Sequence, residues 1–330
     1  MTAAVLELQP YQLRLRAPLR TARGVIATRE GLVVLVRQDG LTGRGEAAPL
    51  PWLGTETVPQ CEQALRETPP TFAGLDQLLR TPSARCGLEQ ALLDLRAQRE
   101  GVPLCRLLHP AAPFAVPCSA LLSAGPLDEL VEEARRAVAE GFATLKLKVG
   151  QPDDLARATA VRAAVGPGTR LRLDANGAWD DQTALLWLRA LAPLDVELCE
   201  QPSATLQGLR GATPVRVAAD ELLLTDPEAA LDRADVLVLK PMLLGGLLPA
   251  LELARRARAR GLLAFATTSL EGAIGRAGAA HLAAALLGDG PQPDAGLATG
   301  RLLERDLCPD PLAPVGGSVQ LSPRPGLGLW

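Results

Sequence analysis

Hydrophobic and polar positions follow different periods in different parts of this chain, and the change of period divides it. Val5 to Leu15 alternate as a half-buried strand does, Leu32 to Arg37 is a β-rich run, and Gln38-Asp39-Gly40 marks a turn before a third short segment, Gly43 to Glu46. Ser83 to Glu100 instead brings Leu88, Ala91, Leu92 and Leu95 to one side of a helix. This first part therefore predicts a small α+β domain ending near Gly101. From about Pro113 onward, short apolar strands alternate with Ala/Leu/Arg-rich helices, the signature of repeated βα units.

The predicted strands of the second part are Val116–Leu122, Thr144–Val149, Arg170–Asp174, Val196–Glu200, Val215–Ala219, Val236–Lys240 and Leu262–Thr267, with a last short one at Ala295–Leu297. Predicted helices between them include Leu127–Glu140, Asp153–Val165, Gln182–Leu191 and Leu247–Arg260. Eight such units close naturally into a barrel. The alternative is an open doubly wound sheet, but no G-x-G-x-x-G follows the first strand. The expected division is an amino-terminal α+β capping domain over residues 1–105, a barrel over 106–305, and a Pro/Gly-rich tail over 306–330 that returns toward the cap.

Composition narrows the class of protein. The 330 residues are 48% hydrophobic and 22% charged, enough for a large core and a smaller second one. A net charge of -3, one Tyr and four Phe argue against a nucleic-acid partner, which needs a basic field and stacking faces. Cys61, Cys86, Cys105, Cys118, Cys199 and Cys308 form no C-x-x-C and read as reduced, packed thiols. The amino terminus lacks the order of a signal peptide and no apolar run reads as a membrane span, so the expectation is a cytoplasmic protein with no membrane partner. The sequence leaves the oligomeric state open.

Candidate chemistry begins with a shortage. Only three of the 34 basic residues are lysine: Lys146, Lys148 and Lys240. An ammonium can lose its proton and act as a base, whereas a guanidinium cannot. Lys146 and Lys148 share one face of the strand TLKLKV, with Leu145, Leu147 and Val149 on the other. If the leucines face the helices, both ammonium groups point into the barrel. Asp174, Glu200 and Asp220 end three successive strands, and the carboxyl ends of barrel strands open on one face. Three converged carboxylates with no His or Cys among them form an all-oxygen ligand set, suited to Mg²⁺ or, alternatively, Mn²⁺. Lys240 ends a strand two units after Glu200 and reaches the same point from the opposite side. Neighbouring ammonium groups and desolvation predict that one lysine has a lowered pKa and serves as a base. A cation facing such a base suits removal of a proton α to a carboxylate.

With K-x-K in TLKLKVG, then LDANGAW, EQP, ADE and VLKP in that order and spacing, the chain resembles the enolase superfamily, in its muconate-lactonizing-enzyme-like subgroup. TREGLVVLVR and GRGEAAPLPWLGTET in the first domain, and TTSLEGAIG and GLATGRLL later, resemble o-succinylbenzoate synthases within it. The resemblance implies a modified TIM barrel, (β/α)7β, with an α+β capping domain. It implies Asp174, Glu200 and Asp220 as Mg²⁺ ligands, Lys148 as the base, Lys146 tuning it, and Lys240 stabilising an enediolate across the ring. Arg172 and Asn176 are then supports for metal and base, and Thr267, Ser269 and Gly296 hold a succinyl side chain. The cap loops near Arg23–Arg29 and Pro49–Thr55 would close over a small carboxylate substrate.

The implied reaction is dehydration of 2-succinyl-6-hydroxy-2,4-cyclohexadiene-1-carboxylate to o-succinylbenzoate, a step of menaquinone biosynthesis. An N-succinylamino acid racemase or dipeptide epimerase is the alternative, because lysines on both faces of an α-carbon are what a two-base racemase needs. Muconate cycloisomerisation ranks below these. A non-catalytic binding protein on a degenerate barrel ranks last, since no charged position is missing.

Overall fold

The computed structural model describes residues 2–21, 24–123, 125–309 and 312–329. The amino-terminal part is a three-stranded antiparallel sheet of β1 (Val5–Thr21), β2 (Gly24–Gln38) and β3 (Leu41–Ala47), in the order β1-β2-β3. The expected turn between β2 and β3 is present, with Asp39 and Gly40 both at positive φ (51° and 79°), the geometry that matches the twist of paired strands. Alternation decides which face is buried: Leu32, Val34 and Val36 pack with Leu88, Ala91, Leu92 and Leu95 of helix α2 (Pro82–Glu100). Helix α1 (Val58–Glu67) closes this core with Cys61 and Leu65 and begins at a capping box formed by Thr57 and Gln60.

Strand β3 and helix α2 approach unusually closely because glycines face each other across the contact. A Cβ on Gly45 would lie 1.9 Å from the Gly87 carbonyl oxygen, and one on Gly43 would lie 2.0 Å from that of Ala91. Neither obstacle is a flexible side chain, so the backbones themselves would have to separate.

The second part is a curled parallel sheet with helices outside it, a modified barrel as the pattern predicts. After β4 (Ala115–Pro117) and β5 (Ala120–Leu121) come β6 (Thr144–Lys148), β7 (Arg170–Asp174), β8 (Val196–Glu200), β9 (Arg216–Ala219), β10 (Val236–Leu239) and β11 (Leu263–Ala266). The seven from β5 to β11 are hydrogen-bonded in chain order. The short segment at Ala295–Gly296 fills the remaining gap by isolated bridges, Ala295 to Cys118 and Gly296 to Thr267. The strand expected over Val116–Leu122 is broken into two pieces, one of which also pairs with β12 (Ser318–Gln320) near the carboxyl terminus.

Side chains alternate cleanly between the two faces. Leu145, Leu147, Leu171, Leu173, Cys199, Val217, Leu237 and Leu239 join the helices in one outer core. Leu198, Ala218, Val236, Val238 and Phe265 form a separate cluster inside the barrel. The leucines of TLKLKV therefore do face the helices, which turns Lys146 and Lys148 inward.

One helix escapes the periodicity reading. Apart from Arg276 and His281, Ala273–Gly288 is apolar on all sides, and it is buried from Ala273 to Leu286, because it lies between the barrel and the cap and has no solvent face to mark with polar residues. His281 in this helix is fully buried: Nδ1 accepts from the Cys105 amide at 3.0 Å, so Nε2 donates to the Leu327 carbonyl at 3.2 Å. The bond ties residues near the carboxyl terminus to the interior, and Leu327 also donates to Asp94 of α2.

Two outcomes follow from this packing. Gly45→Ala should lower unfolding free energy by about 3 kcal/mol in urea titration, the scale of severe overpacking; an unchanged midpoint would contradict the close strand–helix contact. Burial holds the His281 pKa down at about 4, against 6.5 when unfolded. The unfolded chain thus takes up this proton first, so stability present above pH 6.5 is lost as pH falls toward 4, by ~3 kcal/mol in all. His281→Gln keeps an acceptor and a donor, and should flatten that part of the stability–pH curve by one proton.

Candidate active site

The last inward-facing residues of successive strands meet at the carboxyl-terminal mouth of the barrel: Lys148, Asp174, Glu200, Asp220, Lys240 and Thr267. The register aligns the first three directly, Lys148 with Asp174 and Asp174 with Glu200. Asp174, Glu200 and Asp220 are 1–2% exposed, and a buried carboxylate needs compensating charge or donors. The lysines supply it. Lys146 Nζ lies 2.5 Å from Glu200 Oε2 and 2.9 Å from Asp174 Oδ2, Lys148 Nζ lies 2.6 Å from Asp174 Oδ2, and Lys240 Nζ lies 2.6 Å from Asp220 Oδ2.

These pairs reverse the expected pKa direction for two of the lysines. Desolvation pushes Lys146 down, but the attraction of Asp174 and Glu200 outweighs it and the pKa rises. Lys240 moves the same way, desolvation being overcome by Asp220 and Glu221. Desolvation alone would raise Asp174; Lys146 and Lys148 beside it hold it below the usual carboxylate range. Glu200 goes up, because burial dominates over the pull of Lys146.

Among the described residues no group of three His, Cys, Asp or Glu side chains stands in ion-holding geometry. Lys146 bridges two of the carboxylates instead, and Lys148 and Lys240 each pair with one. The donor set nonetheless fits a hard divalent ion: it is all oxygen, and Glu200 Oε1 and Asp220 Oδ1 are buried without a hydrogen-bond partner.

The remaining predicted residues fall in three places. Asn176, at φ 46°, sits at the mouth, its Oδ1 accepting from Lys148 Nζ at 2.7 Å and its Nδ2 donating to Glu221 Oε1 at 3.0 Å. Arg172 is one layer deeper, in register with Lys146. Its Nε donates to Glu197 at 2.6 Å, its Nη1 to the Asp294 carbonyl at 2.6 Å, and its guanidinium lies 4.8 Å from the Phe265 ring centre. The reason is strand periodicity: Arg172 precedes Asp174 by two residues and so points inward one layer nearer the barrel floor. Thr267 and Gly296 are joined, Thr267 Oγ1 donating to the Gly296 carbonyl at 3.1 Å. Ser269 is 7% exposed and its Oγ has no partner. Of the expected cap loops, Arg23 lies outside the described residues. Arg29 is buried and donates to the carbonyls of Ala48, Pro49 and Leu270, which ties β2 to the start of the second loop and to the barrel.

Sequence reading missed two participants. Glu221, directly after Asp220, has a raised pKa through burial and the nearby Asp220, and its Oε2 is a buried atom without a partner. Gln201, at φ 40°, accepts from the amides of Asp220 at 2.9 Å and Leu222 at 3.1 Å and donates to Ser203. It sets the backbone that carries Asp220. Both adjoin the motif acids, and that adjacency was the available signal.

Comparison with known proteins identifies the family. Residues 129–329 match the family "Enolase C-terminal domain-like", and residues 4–95 match "MenC, N-terminal domain". The chain is 44% identical over 201 residues to an o-succinylbenzoate synthase of Thermobifida fusca, a match covering 56% of this chain and 61% of that protein. It is 33% identical to muconate cycloisomerase 1 of Rhodococcus opacus, over 90% of this chain and 87% of the other. A dipeptide epimerase of Enterococcus faecalis, solved with Mg and the dipeptide L-Leu-L-Tyr, superposes at TM-score 0.88 with 27% identity and 99% coverage of both chains.

Gln201→Ala strands two buried amides, which should cost about 2 kcal/mol of unfolding free energy in urea titration. A loss within a few tenths would show that Asp220 and Leu222 do not depend on this side chain.

Proposed function

Because this chain belongs to the enolase superfamily, matched over residues 129–329, we propose that it is an o-succinylbenzoate synthase. It would remove water from 2-succinyl-6-hydroxy-2,4-cyclohexadiene-1-carboxylate in menaquinone biosynthesis. The observation that carries this choice among the family's reactions is the MenC-type match of the cap, residues 4–95. The cap adjoins the loops that would enclose the substrate, so a match there bears on specificity more than one at the metal ligands does.

Asp174, Glu200 and Asp220 would hold Mg²⁺, which when bound fixes the substrate carboxylate and stabilises the negative charge that gathers there. Lys148, 38% exposed and at the rim, has the access needed to take the α-proton. The electrons of the broken C–H bond move toward the carboxylate, giving an enediolate. They return to expel the ring hydroxyl, which accepts a proton from Lys148 and leaves as water, so that the ring becomes aromatic. Lys240, opposite, keeps its proton and faces the enediolate as a fixed positive charge. Lys146 holds Asp174 and Glu200 in place, and Asn176 orients Lys148. Thr267, Ser269 and Gly296 are assigned to the succinyl arm, with the unpartnered Ser269 Oγ as a ready donor. The loops at Gly24–Arg29 and Pro49–Thr55 would exclude water.

A second reading rests on the placement of Lys148 and Lys240 on either side of the carboxylates, which also serves two-base epimerisation of a dipeptide or an N-succinylamino acid. Mixing the protein with the cyclohexadiene carboxylate should give a fast ultraviolet change that EDTA abolishes and Mg²⁺ restores. Lys148→Ala should reduce turnover ~10⁴-fold while the circular dichroism stays that of the folded chain. Turnover by that variant would remove Lys148 as the base. A folded, Mg²⁺-loaded wild type inert toward this compound, but exchanging the α-proton of N-succinylamino acids with deuterium, would establish the second reading instead.

A further inference from the structure

The helix Ala273–Gly288 follows directly after the segment Thr267–Gly272, and its amino-terminal residue Gly272 has no side chain with which to cap it. The caps come from elsewhere. Glu46, on β3, accepts from the Gly272 amide at 2.6 Å through Oε1 and from the Gly275 amide at 2.7 Å through Oε2. Tyr11 of β1 donates to the same Oε1, the Glu46 amide donates to Gln90 of α2, and Gln90 Nε2 donates onward to the Ile274 carbonyl at 2.5 Å. Asp306 completes the turn by accepting from the Ala273 amide and pairing with Arg276.

The segment held in this way is strained. Leu270 has φ 64°, a conformation a branched side chain adopts only when its surroundings impose it. Its carbonyl accepts from Arg29, and Glu271 turns back so that its carboxylate accepts from the Ser269 amide. Ser269 Oγ is left buried and without a partner, in a segment held at Thr267 by Gly296 of the barrel and at Leu270 and Gly272 by Arg29 and Glu46 of the cap.

We propose that Glu46 is a positioning residue for substrate recognition: it fixes the Thr267–Ser269 segment by capping the helix behind it, and so couples docking of the amino-terminal domain to the site for the substrate's side arm. The proposal rests on the assignment of Thr267 and Ser269 to that arm. It adds that the cap acts from behind this segment, as well as through the loops in front of the site. Burial raises the Glu46 pKa overall, against the opposing pull of Tyr11 and the two glycine amides, so it is these three donors that hold its charged form.

The test is Glu46→Gln, whose amide offers one acceptor and turns a donor toward the other helix amide. The expected result has two parts, measured on the intact Mg²⁺-loaded protein. Hydrogen exchange at Gly272 and Gly275 should quicken at least ~10-fold, and KM for the cyclohexadiene carboxylate should rise at least ~10-fold while kcat changes less than about threefold. Glu89→Gln is the control. Glu89 caps a different barrel helix from α2, accepting from Leu248 at 3.0 Å, so it tests docking in general. An equal rise in KM from Glu89→Gln, an unchanged KM in Glu46→Gln, or unchanged exchange at both glycines would each overturn the proposal. If the wild type fails to turn over the compound, the dehydratase reading falls, and the exchange comparison alone decides whether Glu46 holds the segment.

Discussion

Three carboxylates buried at one end of a barrel impose a charge balance that the rest of the structure serves. Asp174, Glu200 and Asp220 are within 2% of complete burial, and without positive partners they would repel and protonate. The three lysines of the chain answer them, each placed by strand alternation on the inward face. The same balance is what gives the site its chemistry. A lysine that neutralises a carboxylate in one state is a lysine within reach of whatever that carboxylate holds in another. Breaking a buried pair by removing one partner leaves an uncompensated charge, so these positions tolerate little substitution.

The mouth of the barrel was legible because strand geometry is so regular. A period of two fixes which residues face inward, and parallel strands in register bring their ends to one level, so Lys148, Asp174 and Glu200 could be placed together from sequence alone. The same rule, applied one step further, also locates Arg172: two residues before Asp174, it belongs to the layer below and packs on Glu197 and Phe265. The helix Ala273–Gly288 failed for the complementary reason. Periodicity is written by contrast between a wet and a dry face, and a helix covered on both sides has none. Gln201, at a positive φ, reaches the amides of Asp220 and Leu222, and Glu221 reaches Asn176; no pattern of apolar residues encodes either contact, and only adjacency to the motif acids hints at them.

Contacts between the two parts of the chain are of a recurring kind. The barrel helices Leu247–Ala259 and Ala273–Gly288 both begin at a glycine, Gly246 and Gly272, that offers no side-chain cap. In each case a carboxylate from the amino-terminal part fills the role, Glu89 in the first and Glu46 in the second. A side chain on Gly246 would collide with Glu89, at 2.2 Å, so the glycine is what admits the partner. Burial raises the Glu89 pKa to about 7, in keeping with a junction from which water is largely excluded. Helix termini carry partial charge and unsatisfied amides, and a partner domain that satisfies them docks in one orientation only.

That orientation bears on how one barrel can serve several reactions. In the proposed chemistry, abstraction of an α-proton would need only the mouth, where lysines and carboxylates are fixed by strands, and relatives named as a dipeptide epimerase and a muconate cycloisomerase share the fold. What distinguishes one substrate from another must then lie where strands no longer dictate position. In this chain those places are the Thr267–Gly272 segment and the loops of the amino-terminal part, and both are held by the same interface: Arg29 bonds Pro49 on one side and Leu270 on the other. On the proposed reading, a substitution at that interface would move recognition elements on two sides of the site at once without touching the lysines. Specificity can therefore change by altering how the cap is seated, while the proton-transfer groups stay where the strands put them.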